Sequence, residues 1–209
     1  MTLSNRLEIN NLSLSRGGRR LLTDLNFELN AGEWLHVQGD NGIGKTSLFR
    51  AICTLAPIDE GEVLWNGQSI HQDLPLYLRN IFFVGHKLAL KEELSALENL
   101  TIECKLMDVP FNELDLLKAL AHFGLQGRER VPLGILSQGQ KRRVALAKLK
   151  LAHAPLWILD EPLVALDASS IQLFTKLLED HLEIGGQVLL TSHQRIELTG
   201  PGRVLSLSL

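Results

Sequence analysis

The chain has 209 residues, 45% of them hydrophobic and 22% charged, which suits one domain with a substantial core. A formal net charge of -3 offers no basic surface for nucleic acid. The 2 cysteines, Cys53 and Cys104, form no CxxC or CxxCH pattern, which argues against a disulfide framework or covalent haem attachment and fits a reducing compartment.

In chain order, Leu7 to Leu14 alternates as a strand does and meets a turn at Arg16-Gly17-Gly18-Arg19. Leu25 to Leu29 alternates again, Ala31-Gly32 is a turn, and Trp34 to Val37 is an apolar strand. Ser47 to Leu55 has helical spacing through Leu48, Ile52 and Leu55, and Pro57 halts it. Gly61 to Gly67 reads as a strand with a tight turn. Residues from about 92 to 154 carry mostly helical periodicity. Strand 156–160, helix 168–183, strand 187–191 and strand 203–207 follow. No apolar run approaches the roughly 18 residues that cross a bilayer, and residues 1–10 lack the apolar stretch of a signal peptide. Any membrane part of the process is therefore expected on another polypeptide.

Between the strand at 34–37 and the helix after it, Gly39-Asp40-Asn41-Gly42-Ile43-Gly44-Lys45-Thr46 matches GxxxxGK[ST] in full. The glycines let backbone N–H groups converge on phosphate oxygens, and the helix presents its positive end to the same anion. Lys45 is expected to reach the β- and γ-phosphates of ATP and Thr46 to ligate Mg²⁺, with Ser47 ending the segment that holds the nucleotide. Further on, Leu136-Ser137-Gln138-Gly139-Gln140 opens a helix. Ser137 and Gly139 could offer a hydroxyl and free N–H groups to a phosphate. Ser137 could equally be an N-cap with Gln140 at the capping-box position.

The apolar strand at 156–159 ends in Asp160-Glu161-Pro162. A carboxylate at that point suits Mg²⁺ binding by Asp160, with Glu161 polarising the attacking water. Ala165-Leu166-Asp167 then leads into the next helix, where Asp167 is also an ordinary N-cap. The strand at 187–191 ends at Ser192-His193.

In this order and spacing the segments resemble the ABC transporter ATPases over about residues 5–207, with Gln138 standing where the LSGGQ signature has glycine. The resemblance implies an α/β fold: a P-loop NTPase core with an antiparallel β-subdomain and an inserted helical subdomain. A single domain over 1–209 would divide into core and β-subdomain at about 1–85 and 156–209, and a helical signature subdomain at about 86–155. It further implies that His193 is the switch histidine at the γ-phosphate and that Asp167 lies along a dimer interface. Two copies would then join head to tail, Ser137 to Gln140 of one closing on ATP held by Gly39 to Ser47 of the other.

Two departures stand out. His86 occupies the place of the glutamine that contributes to Mg²⁺ and couples to the membrane subunit. Arg16 stands near the position of the adenine-stacking aromatic, where its guanidinium could stack on the base or simply be solvated.

Phe83-Val84-Gly85-His86-Lys87, Glu93 to Leu100, Trp157 to Pro162 and Leu190 to Gln194 resemble, more narrowly, the haem-exporter ATPases of cytochrome c maturation. That implies a peripheral subunit on the cytoplasmic face of the bacterial inner membrane. Its partner beyond a second copy of itself would be an integral membrane permease of a cytochrome c maturation complex. The scattered histidines give no reason to expect direct haem binding. An ABC ATPase for a drug, lipid or lipoprotein is the main alternative, and a non-transport ABC protein or a small-molecule kinase fits less well.

Overall fold

The computed structural model describes residues 5–194 and 196–208, so the expected domain limits at 1 and 209 fall outside it. Strand β1 (Arg6–Arg16) turns back at Gly17-Gly18 and pairs antiparallel with β2 (Arg19–Asn30). On its other edge β1 pairs with β4 (Glu60–Trp65), which turns at Asn66-Gly67 into β5 (Gln68–Ser69). This gives a sheet in the order β2-β1-β4-β5. The second sheet is parallel and runs β6 (Ile81–Val84), β7 (Leu156–Leu159), β8 (Gln187–Thr191), β3 (Trp34–Gln38), β9 (Gly202–Ser206).

A parallel strand covered on both faces is apolar at most positions, and the twofold alternation of side chains decides which core each residue joins. Leu156 and Ile158 of β7, Leu189 of β8, and Leu35 and Val37 of β3 enter the core shared with the antiparallel sheet and helix α1 (Lys45–Ile52). Trp157, Leu159, Val188 and Leu190 enter the opposite core with Phe174, Leu177 and Leu178 of helix α6 (Ala168–Glu183). Each such side chain contributes roughly 1.5–3 kcal/mol on burial, so the sheet is fixed from both sides.

Three helices of the central segment open on reciprocal capping boxes. Ser95 and Glu98 cap α3 (Ala96–Leu106), Asn112 and Asp115 cap α4 (Glu113–His122), and Ser137 and Gln140 cap α5 (Gln138–Ala147). The charges that follow Gln140 do not form a solvated face. Lys141 Nζ pairs with Glu92 at 2.8 Å and Lys148 Nζ with Glu103 at 2.5 Å, and both lysines are buried. A buried ammonium needs such a partner because its desolvation is otherwise uncompensated.

Helix α6 and strand β8 match the sequence reading. Helix α1 differs: it begins at Lys45 and ends at Ile52, and Leu55, outside it, is 53% exposed. The six-residue helix α2 (Leu74–Arg79), capped by Asp73, and strand β6 are too short to stand out in the periodicity.

In the core beneath α6, His181 stacks on Trp157 with ring centroids 3.7 Å apart and planes at 5°. Its Nε2 donates to Pro155 O at 3.0 Å. Burial lowers the imidazole pKa to about 4, against the partial compensation of that bond. The unfolded chain therefore takes up this proton near pH 6.5 while the folded chain resists it until about pH 4. The neutral ring is fully accommodated above pH 6.5, and stability falls as the pH drops from there towards 4, by about 3 kcal/mol for this group. His181→Phe keeps the stack and removes the proton. Thermal melts between pH 7 and pH 4.5 are expected to show a flatter fall in Tm for the variant than for the parent.

Candidate functional site

The site forms where β3, β7 and β8 end side by side. Strand β3 leads through Gly39 to Gly44 into α1, whose first backbone N–H groups have no partner within the helix and face the loop. Gly44 is the N-cap of α1 at φ 121°, a conformation that strains any residue with a Cβ, and a Cβ there would come within 3.2 Å of Leu21. No acidic side chain occupies the first turn of α1, so its positive end remains available to an anion. Lys45 Nζ donates to the carbonyls of Gly39 at 2.6 Å and Asp40 at 3.1 Å, bracing the loop, and Ile43 turns into the core beneath it.

Asp160, at the end of β7, is 1% exposed. Thr46 Oγ1 donates to its Oδ2 at 2.8 Å and Thr191 Oγ1, from β8, to its Oδ1 at 2.9 Å. The Thr191 hydroxyl in turn accepts from the backbone N of Glu161 at 2.9 Å. Glu161 itself has φ 53°, a left-handed conformation that costs a residue with a side chain on the order of 1–3 kcal/mol. Its carboxylate lies against the β8 exit: His193 N donates to Oε2 at 3.3 Å, and His193 Nε2 lies 3.5 Å from Oε1. Oε1 is buried and has no hydrogen-bond partner among the described residues.

Lys45, Thr46, His86, Asp160, Glu161 and His193 all line one cleft of about 450 Å³, together with Asn41, Gly42, Gly44 and Ser47. Arg16 stands on its wall, and both Arg16 and His86 also line the adjoining groove. Ser137, Gln138, Gly139, Gln140 and Asp167 do not line the cleft. The first four open α5. Ser137 Oγ accepts from Gln140 N at 3.2 Å, so the capping role is realised, and Ser137 and Gln138 are exposed. Gly139 packs against the loop before α6, where a Cβ would lie 2.7 Å from Ala165 O. Asp167 caps α6, accepting from Ser170 N at 2.8 Å. Hydrogen bonds from Ser170 and Ser169 lower its pKa to about 2.

Arg142 is a residue that the sequence presents only as part of a basic run. It is 3% exposed, and its guanidinium is spread over backbone carbonyls at the edge of the site. Nε donates to Pro162 O at 3.0 Å, Nη2 to Asp160 O at 3.3 Å and to Glu161 O, and Nη1 to Gly85 O at 3.5 Å. Burial lowers its pKa to about 10, with the charges of Asp160 and Glu161 opposing, so it is a cation at neutral pH. One side chain from α5 thereby holds both the peptide of Glu161 and the residue before His86. Only the tertiary fold reveals this, because nothing in the spacing of Lys141-Arg142-Arg143 distinguishes the three.

A phosphate-binding loop at a helix N-terminus, a buried carboxylate beside its threonine hydroxyl, and a second carboxylate next to a histidine define a P-loop nucleoside triphosphatase. The ABC transporter family profile matches residues 22–164, and the chain belongs to that family of ATPases. Over 202 residues it is 44% identical to the cytochrome c biogenesis ATP-binding export protein CcmA of Albidiferax ferrireducens, covering 96% of each chain. It is 45% identical over 192 residues to the protein of the same name from Escherichia coli O157:H7, covering 92% of this chain and 91% of that one. An ABC transporter ATP-binding protein from Pyrococcus furiosus superposes with a TM-score of 0.83 at 29% identity, over 96% of this chain and 97% of the other. A dimeric ATP-binding cassette in a post-hydrolysis state, bound to ADP and Pi, superposes at 0.77 and 25% identity, over 90% of this chain and 88% of the other.

Arg142→Met keeps the length and apolar stem but leaves these carbonyls without their donor. Denaturant unfolding is expected to show a loss of about 2–4 kcal/mol. Arg142→Lys, which cannot reach several carbonyls at once, should recover only part of it.

Proposed function

We propose that the chain hydrolyses ATP as one half of a head-to-tail pair and so powers a separate membrane subunit in cytochrome c biogenesis. The observation that carries the pairing is the division of the site within one chain. The cleft has a phosphate loop, a metal-binding pair and a water-polarising carboxylate. The start of α5 at Ser137 to Gln140, exposed at Ser137 and Gln138, and the exposed Asp167 lie outside it. A second copy turned about a twofold axis would bring those groups onto the phosphates. Ile135 and Val164, 76% and 48% exposed beside the same segments, suit a surface that closes on another chain.

Within the cleft, Gly39 to Ser47 hold the phosphates by backbone N–H groups, and Lys45 neutralises the β- and γ-oxygens. Thr46 and Asp160 supply two oxygen ligands suited to Mg²⁺, an ion that takes its remaining positions from water and phosphate. Among the described residues no cluster of three His, Cys, Asp or Glu could hold a metal by itself, so this pair is the candidate. Bound Mg²⁺ supplies charge neutralisation on the transferring phosphoryl group. Glu161 Oε1, buried and without a hydrogen-bond partner among the described residues, is the acceptor that polarises the attacking water. His193 lies within reach of the same water and the γ-phosphate. His86 stands beside Thr46 and Asp160 as the coupling residue, and Arg16 flanks the base.

We assign about residues 86–155 to the helical signature subdomain and the remainder to the core and β-subdomain. No helix among the described residues is long and apolar enough to cross a membrane. On its similarity to CcmA the chain is assigned as a peripheral subunit on the cytoplasmic face of the bacterial inner membrane, bound to a permease of the cytochrome c maturation complex. In that role the ATPase would energise the complex without binding haem itself.

Glu161→Gln is expected to lower kcat about 100-fold or more and to accumulate an ATP-bound dimer, visible by size-exclusion chromatography with Mg-ATP. Lys45→Ala or EDTA should abolish that dimer. A dimer that forms equally well in Lys45→Ala would refute the phosphate-bridged arrangement. Cells lacking the chain should lose c-type cytochromes, with recovery from the parent gene and none from Glu161→Gln.

A further inference from the structure

His36 lies in β3 on the face opposite Leu35 and Val37, and it is 3% exposed. Both ring nitrogens of a buried imidazole need partners, and here each has one. Nε2 is 3.0 Å from the carbonyl oxygen of Ser192, and Gln38 Nε2 is 3.3 Å from Nδ1. A carbonyl only accepts, so Nε2 carries the hydrogen and donates, which leaves Nδ1 to accept from the Gln38 amide. Burial lowers the ring's pKa and favours this neutral form, although the bond to Ser192 and the charge of Glu161 act the other way.

The carbonyl that His36 holds is half of the peptide joining Ser192 to His193. The other half, His193 N–H, donates to Glu161 Oε2 at 3.3 Å. A trans peptide is planar, and its C=O and N–H point in opposite directions. Neither bond can turn without turning the other. Gln38, His36, the 192–193 peptide and the Glu161 carboxylate thus form one chain of donors and acceptors, each polarising the next. The P-loop strand β3 is tied through it to the carboxylate at the end of β7 and to the histidine that follows β8.

We propose that His36 is a positioning residue for ATP hydrolysis: by holding Ser192 O it fixes the peptide plane that presents His193 and anchors Glu161. This rests on the reading of Glu161 and His193 as the hydrolytic pair. The role is distinct from that of a merely packed histidine, which would affect folding without separating turnover from nucleotide binding.

The test compares His36→Leu, which has no donor, with His36→Gln, whose Nε2 can replace the lost bond. In steady-state ATPase assays of the full chain, His36→Leu should lower kcat about 10- to 100-fold while the Kd for Mg-ATP stays within about twofold. His36→Gln should return kcat to within about threefold of the parent. Parental kcat in both variants, an equal loss in both, or a loss of ATP binding in step with kcat would each overturn the proposal. Should His36→Leu fail to fold, ¹⁵N imidazole spectra of the parent decide: a neutral Nε2–H tautomer is expected, and an Nδ1–H tautomer overturns it. Glu161→Gln, assayed alongside, separates the two levels. Parental turnover there would sink the hydrolytic reading itself, whereas an inactive Glu161→Gln with a fully active His36→Leu would sink only the positioning role.

Discussion

Three separate stretches of chain meet on the carboxylate of Asp160. Thr46 reaches it from the start of α1 and Thr191 from the end of β8, and each donates one hydrogen bond. Taking a carboxylate out of water costs several kcal/mol, and a hydrogen bond to a charged group returns about 1.5–3 kcal/mol. Two neutral hydroxyls leave acceptor capacity over, which is the demand a divalent cation in the proposed site would meet. The same contacts set the spacing of the P-loop, β7 and β8, so the position of every other group in the cleft follows from this one.

Around that centre, the helical segment shares one apolar core with β7 and α6, and a single side chain adds a polar tie to the end of β7. Arg142 lies on α5, the helix that Ser137 to Gln140 begin, and it holds the carbonyls of Glu161 and Gly85. Glu161 is kept at φ 53°, a conformation it would not adopt by itself, by Arg142 on its carbonyl and Thr191 on its N–H. A displacement of α5 therefore reaches Glu161 and the loop bearing His86 through the same guanidinium. That gives a physical link between the start of α5 and the geometry of the carboxylate proposed to polarise water.

Much of this was legible in the sequence because the nucleotide motifs are local. Gly39 to Thr46 needs only a strand before it and a helix after it, and both are there. The span of α6, opened by Asp167, and the five-residue β8 carry clear signals in cap and apolar run. Arg142, Lys141 and Lys148 were not legible, since a run of charges on a helix looks the same whether water or Glu92, Glu103 and the backbone receives it. His36 was hidden for a related reason. Its partner Ser192 lies 156 residues away, and no periodicity reports a contact at that separation. Helix α1 ends before Leu55 because Thr54 takes φ 58° and Leu55 N closes the helix end on Arg50 O, a limit set by the backbone turn rather than by the spacing of leucines.

The position of β3 within the parallel sheet also bears on how the chain is made. The β1–β2 hairpin is local and can pair as soon as both strands leave the ribosome. Strand β3 cannot, because its two neighbours are β8 at 187–191 and β9 at 202–206. Through most of synthesis Trp34 to Gln38 is an apolar segment with exposed edges, the kind of segment that invites aggregation and chaperone binding. A ribosome-bound chain that stops short of β9 thus lacks one wall of its P-loop strand. Competence of the proposed site to bind nucleotide therefore waits for β8 and β9, which are encoded far downstream of the loop.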